Sequence, residues 1–349
     1  METVLRLWFC HLMSFYFSVT AAVIGRVLPK THRFPILIPI FDSILSLYFR
    51  FCNLCPCTVD LDDQTTVHFW APTHRHFSKP NLVIIHGYGG NAKWQFALQV
   101  RQLAKSFNLY VPDLLFFGES HSRRPDRTDA FQAECVAEGL KGLGVRRSSV
   151  YGISYGGFVA YRMAEMYPDA VERVVIVNSG IASTADQRAE QMVRLKKMGR
   201  ENAVDIFLPA KPDDLRLLVN QSFSKCDPLK WVPDFILREV ITVMYSPNRK
   251  EREELLDYLL TNKDHSTHRP RRISQEALLV WGESDKIFPL EFGQLLQRYL
   301  GANKARLEVI EGAGHAANLE SASSLNSFIK TFLLQTDSPC REVSYLNMT

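Results

Sequence analysis

The 349-residue chain is short of the features that mark several protein classes. It has no Gly-x-y period and no repeat at a fixed interval, which excludes collagen-like and solenoid architectures. Neither sign of charge dominates. Lys and Arg number 41 against 37 Asp and Glu, and the net charge of +4 is scattered, which argues against nucleic acid as the main partner. With 46% hydrophobic residues the chain is too apolar for wholesale disorder. Cysteine is sparse and odd in number: seven, at positions 10, 52, 55, 57, 135, 226 and 340. A chain of this length builds a core without disulfide staples, so a reducing compartment is the simpler reading. Cys52, Cys55 and Cys57 form C-x-x-C-x-C, but the second close pair that a zinc site needs is missing, and no metal is expected. No nucleotide or flavin motif is present either, and no cofactor is expected.

One long apolar run is present. Leu7 to Gly25 reads LWFCHLMSFYFSVTAAVIG. As a helix it is roughly 28 Å long, close to a bilayer core. Residues 1–33 are therefore read first as a membrane anchor. A cleaved signal peptide, with Val19-Thr20-Ala21 near the cut, and a helix packed on the protein's own surface are the alternatives. Arg26, Lys30 and Arg33 follow the run, and the positive-inside rule then puts the bulk of the chain in the cytosol. On the secretory alternative, Asn220-Gln-Ser and Asn347-Met-Thr become glycosylation acceptors. Residues 34–57 carry apolar side chains at 37, 40, 41, 44, 45, 48 and 51, nearly the period of an amphipathic helix. Asp42 and Arg50 make it a poor spanning segment. It is expected either in the membrane interface or against the catalytic region.

From about residue 58 strands and helices alternate. Strands are expected at 58–61, 65–70, 81–86, 108–113, 148–153, 171–177, 277–281 and 306–311. Helices are expected at 94–107, 130–142, 156–167, 292–300 and 322–334. The pattern predicts an α/β fold: a mainly parallel, eight-stranded type of sheet with helices on both faces. The alternation stops between about 182 and 272, where Ala189–Met198 and Asp234–Tyr245 have helical patterns. This stretch reads as a helical cap over the sheet's carboxyl edge, inserted between core segments 58–181 and 273–336, with 337–349 a tail.

The chemistry-bearing motifs lie at strand ends. Gly152-Ile153-Ser154-Tyr155-Gly156 sits between a strand and a helix, where a tight turn exposes Ser154 as a nucleophile. His86-Gly87-Tyr88-Gly89-Gly90 follows another strand. The amides of Tyr88 and Tyr155 are the expected donors to a developing oxyanion. Asp285 follows a third strand, with Glu283 as a rival nearer the strand. Gly312-Ala313-Gly314-His315 follows the next. The order Ser, Asp, His, each past a separate strand, makes His315 the general base and Asp285 its orienting partner.

These motifs resemble the α/β-hydrolase fold superfamily over roughly residues 58–336. Val111-Pro-Asp-Leu-Leu-Phe-Phe-Gly-Glu-Ser120 is similar to its D-x-x-G-x-G-x-S loop, with Phe116 where the first glycine is usual. Within the superfamily the chain resembles a plant branch, similar to meta-cleavage C–C hydrolases and to monoacylglycerol-lipase-like esterases. The resemblance implies a Ser154–His315–Asp285 triad and a helical cap. A serine nucleophile sets the chain apart from epoxide hydrolases and haloalkane dehalogenases. The C–C hydrolase pattern has a bulky aromatic after its histidine, where this chain has Ala316 and Ala317.

The expected function is a serine hydrolase cleaving a small lipophilic carboxylic ester. The alternatives are a meta-cleavage C–C hydrolase and a ligand receptor on a hydrolase scaffold. Ile206, Phe207, Leu208, Phe223 and Trp231 are candidate pocket walls, most of them expected simply to pack the cap. The basic linker at 268–274 is expected to be a solvated loop.

Overall fold

A computed structural model of the chain describes residues 35–181, 204–261 and 271–335, with a few positions between 183 and 194. The apolar run at 7–25, the tail and residues 268–270 of the basic linker lie outside the described residues.

The chain enters through α1 (Leu37–Phe51), whose inner face buries Ile38, Leu45 and Phe49. Burying a ring the size of Phe49's contributes about 2 kcal/mol. An antiparallel pair follows, β1 (Leu54–Asp60) and β2 (Thr65–Pro72). β1 begins four residues before the strand expected at 58. Cys55 and Cys57 lie two apart on it, so they share a face. Their thiols reach the carbonyls of Ala71 and Phe69 at 3.6 Å each.

Next come β3 (Asn81–Ile85), α2 (Ala92–Leu103), β4 (Asn108–Pro112), the short β5 (His121–Ser122) and α3 (Asp129–Gly142). The Asn91 and Thr128 side chains cap α2 and α3 by accepting from Trp94 N and Phe131 N. α2 therefore starts two residues before the expected helix. Then follow β6 (Ser148–Ile153), α4 (Tyr155–Met166) and β7 (Val171–Val177). The cap holds α5 (Val204–Phe207), α6 (Pro212–Ser222), α7 (Asp234–Val240) with a π-helical turn at Ile241–Tyr245, and α8 (Arg249–Thr261). The single helix expected over 234–245 is thus α-helical only in its first half. Of the helix expected at 189–198, most lies outside the described residues. β8 (Glu276–Gly282), α9 (Leu290–Leu300), β9 (Ala305–Ile310), α10 (Ala317–Glu320) and α11 (Ala322–Leu334) complete the chain.

The sheet runs β1-β2-β4-β3-β6-β7-β8-β9, with β5 beside β2. β4 through β9 are joined in parallel, while β1, β2 and β5 make the antiparallel edge. Alternate residues of each strand feed opposite cores. Val83 and Ile85 face one, and Leu82 and Ile84 the other. Burial on both sides is why these strands read as unbroken apolar runs. The chain leaves β3 toward β4 on one side and returns to β6 on the other. The carboxyl ends of β3 and β6 therefore flank a topological switch point, where a crevice opens. Among the described residues, no helix is long and apolar enough to cross a membrane.

Candidate active site

Ser154 occupies the turn from β6 into α4 at φ 54°, ψ −120°. A left-handed backbone costs a non-glycine residue about 1–2 kcal/mol, and the surroundings enforce it. A Cβ on Gly152 would lie 2.1 Å from the Gly156 carbonyl oxygen, and one on Gly156 would lie 2.2 Å from Ile85 O. Only glycines allow α4 to pack this close to β3 and β6, and that approach pushes the serine outward. Ser154 N–H donates to Val177 O at 2.9 Å, fixing the turn to the next strand.

His315 Nε2 lies 2.8 Å from Ser154 Oγ, and its Nδ1 lies 2.9 Å from Asp285 Oδ2. Asp285 can only accept there, so the imidazole proton sits on Nδ1 and Nε2 faces the serine hydroxyl. The other carboxylate oxygen accepts from Ile287 N at 2.8 Å and Phe288 N at 2.9 Å. The Asp285 carboxylate is buried, and the Phe288 ring stands 5.7 Å from the imidazole ring. Glu283 is engaged elsewhere, accepting from Gly312 N at 2.9 Å.

Tyr88 and Tyr155 border the same cavity as Ser154 and His315. Among the described residues, neither tyrosine amide has a protein acceptor. The amide of Tyr155 opens α4, so the positive end of that helix adds to its pull on negative charge. Their side chains point away into the core, ring to ring at 6.0 Å, and burial pushes both phenols well above their ordinary pKa.

Four supporting residues went unpredicted. Gln95, one turn into α2, accepts from Gly87 N at 2.7 Å and donates to Gly87 O at 3.0 Å and to Gly89 O. It clamps the loop that presents the Tyr88 amide. Asn178, just past β7, donates to Gly314 O at 3.1 Å and His315 O at 2.8 Å, and accepts from Gly282 N at 2.9 Å. It ties the loops carrying Asp285 and His315. Glu320 accepts from Gly314 N at 2.6 Å, Ser224 N at 2.8 Å and Lys225 N at 2.6 Å, joining the histidine loop to the cap. Arg252, buried on α8, donates to Phe116 O at 2.7 Å and to Met244 O, and stacks 4.4 Å from the centre of Phe117. Burial lowers its guanidinium pKa to about 10. Side chain–backbone clamps of this kind leave no periodicity or spacing in a sequence.

His86 borders the nucleophile loop but is fully committed. Its Nδ1 faces Gly87 O at 2.7 Å, and its Nε2 accepts from Leu114 N at 2.9 Å. Burial lowers its pKa, and the imidazole is neutral.

The cavity is partly open to solvent and has a volume of about 200 Å³. Phe207, Leu218, Phe223, Tyr245, Leu256 and Phe288 are among its walls, and His315 is its only ionisable group apart from tyrosines among the described residues. Of the wall residues anticipated from sequence, Phe207 and Phe223 reach it, whereas Ile206 and Leu208 are buried in packing. Trp231 is 63% exposed, with Lys230 over its ring at 5.2 Å. Among the described residues, no group of three or more His, Cys, Asp or Glu is placed to hold a metal ion.

The chain is similar to known hydrolases in sequence and in fold. Lipase 1 of Psychrobacter immobilis is 27% identical over 261 residues, spanning 72% of this chain and 76% of the relative. A 2-hydroxy-6-oxononadienedioate/2-hydroxy-6-oxononatrienedioate hydrolase of a Pseudomonas species is 24% identical over 263 residues, 72% of this chain and 87% of the relative. A solved structure assigned as a lipase from Acinetobacter baumannii superposes with a TM-score of 0.70 at 24% identity, over 84% of this chain and 95% of that one. These relatives are bacterial, and they give no support to the narrower plant branch. The sequence model of the alpha/beta hydrolase fold matches residues 80–322, and the chain belongs to that family.

Proposed function

We propose that the protein is a serine hydrolase of a neutral, lipophilic carboxylic ester. The observation that carries this is the Ser154–His315–Asp285 relay, at 2.8 and 2.9 Å, opening into an apolar cavity. Ser154 Oγ attacks the ester carbonyl while His315 Nε2 takes its proton. Asp285 stabilises the imidazolium, and the Tyr88 and Tyr155 amides hold the oxyanion. The tetrahedral adduct collapses, and the alcohol departs with the proton from His315. Water then adds to the acyl-Ser154, giving its proton to His315, and the acid is released as the serine recovers it.

The second reading, C–C hydrolysis, is favoured by the name of the Pseudomonas relative. That name specifies a dioate, a substrate with two carboxylates. No Arg or Lys among the described residues borders this cavity to receive them, which favours the neutral ester. A cavity of about 200 Å³ is below the roughly 300–1,000 Å³ of pockets for drug-sized ligands, so a short to medium acyl chain is expected. The membrane-anchor reading of Leu7–Gly25, with the catalytic region on the cytosolic side, belongs to the same proposal and rests on the apolar run and the basic residues after it.

The test is initial-rate hydrolysis of p-nitrophenyl esters from acetyl to palmitoyl, beside a dienol-ketone ring-fission substrate. Ester turnover with an optimum at or below medium chain length supports the proposal. A higher kcat/KM on the dienol ketone would replace it with the second reading.

A further inference from the structure

Helix α1 is apolar on two faces. The inner face is in the core. Ile40, Ile44, Leu47 and Phe51 form a second stripe, at spacings of four, three and four residues, and are 54%, 54%, 66% and 75% exposed. Single exposed apolar residues need no explanation, but a four-membered ridge along one helix does. The polar residues of the helix make no claim on this face. Asp42 receives Lys93 Nζ at 2.5 Å and Trp94 Nε1 at 3.0 Å from α2, and the Ser43 and Ser46 hydroxyls donate to the helix's own carbonyls at 2.8 and 3.0 Å.

We infer that this ridge docks into the surface of a lipid bilayer. Two observations select that occupant. Exposed cations, Arg50 and Arg101, stand at the carboxyl end of α1, with Arg101 near enough to act on Tyr48 and Cys52. A basic rim beside an apolar stripe matches an anionic headgroup layer over acyl chains. The chain upstream of α1 carries the 7–25 apolar run and then Arg26, Lys30 and Arg33, so the sequence delivers α1 where an interface would receive it. This second argument leans on the anchor reading; the ridge itself does not.

Docking would also orient the cap. The Glu239 carboxylate of α7 accepts from the free amides of Ile36, Leu37 and Ile38 at 3.0, 2.7 and 3.1 Å, closing the amino end of α1. Trp94, against the ring of Phe41 at 4.9 Å, is the neighbour of the cavity residue Gln95. The ridge helix therefore lies beside the cavity and is fastened to the cap.

The experiment places a tryptophan on the ridge, Ile44→Trp, in the full chain. A second variant, Val309→Trp, sits on the far edge strand β9 as a control. Each is mixed with vesicles of phosphatidylcholine and phosphatidylglycerol whose acyl chains carry bromine, a short-range quencher. Matching thermal melts for both variants and the parent establish folding. The inference predicts that the emission added at residue 44 falls at least twofold, while that added at 309 does not change. Emission at 44 that ignores brominated lipid overturns it. An accompanying loss of self-association in Ile44→Asp/Leu47→Asp would then assign the ridge to a second copy. The readout does not depend on ester turnover, so failure here is separable from failure of the proposed reaction.

Discussion

On the proposed reaction, Gln95 clamps the loop that carries the Tyr88 amide. Gln95 both accepts from and donates to the backbone of residues 87–89, so the Tyr88 amide is aimed before substrate arrives. Preorganised donors of this kind are worth on the order of 10²–10³ in kcat each, and loosening one loses part of that. Gln95→Leu is isosteric enough to fold. It is expected to lower kcat on a p-nitrophenyl ester about 10- to 100-fold with KM within a few-fold, as steady-state kinetics will show. A proportional rise in KM at unchanged kcat would instead make Gln95 a wall residue. Ser154, Asp285 and His315 were legible in the sequence because each follows a strand, and Ser154 and His315 also stand beside glycines. The clamps were not. Gln95, Asn178, Glu320 and Arg252 act through backbone groups distant in sequence, and a glutamine in a first helical turn looks like any exposed one.

The loop after β4 shows how one element absorbs an irregular sequence. Phe116 takes φ 73° where a glycine would be free of strain. The cost of about 1–2 kcal/mol is offset by burial of its ring, 1% exposed, and by the Arg127 guanidinium 4.5 Å from the ring centre. Gly118, at φ 53°, has no such latitude, since a Cβ there would meet the Asp113 carboxylate at 2.2 Å. Asp113 organises the loop, facing His68 Nδ1 at 2.9 Å and accepting from Ala92 N at 3.0 Å. Burial alone would raise its pKa, but the hydrogen bond and charge of His68, with the Ala92 amide, hold it below the ordinary carboxylate value. A depressed folded-state pKa adds stability that is complete above the unfolded value of about 3.9 and is lost as pH falls through the folded value. Chemical denaturation between pH 6 and 2 should therefore show an acid decline that is shallower in Asp113→Asn. Equal slopes in the two proteins would remove Asp113 from the account. Element boundaries were less legible than element types. Caps at Asn91 and Thr128 moved two helix starts, and the π-helical turn at 241–245 has the same apolar spacing as the helix it continues.

Across the whole molecule, the sheet order explains why residues 161 positions apart meet. β3 and β6 flank the switch point, so the Tyr88 loop and the Ser154 elbow share one crevice, and β8 and β9 deliver Asp285 and His315 to the same edge. The cap closes over them through Arg252 and Glu320, and its apolar residues continue the core rather than form a separate one. The strand–helix alternation and its interruption made that plan readable. The cavity's size, and the want of Lys, Arg, Asp and Glu among its described lining residues, were not, because they depend on which cap side chains turn inward. The central claim is that Ser154 is a nucleophile activated by His315. It is tested most directly by mass spectrometry after treatment with an alkyl fluorophosphonate, which phosphonylates an activated serine with loss of fluoride. The account predicts one adduct per chain, mapped to Ser154 and absent from Ser154→Ala and His315→Ala chains of unchanged thermal stability. A folded wild-type chain that takes up no adduct, or takes it up equally in Ser154→Ala, would contradict it.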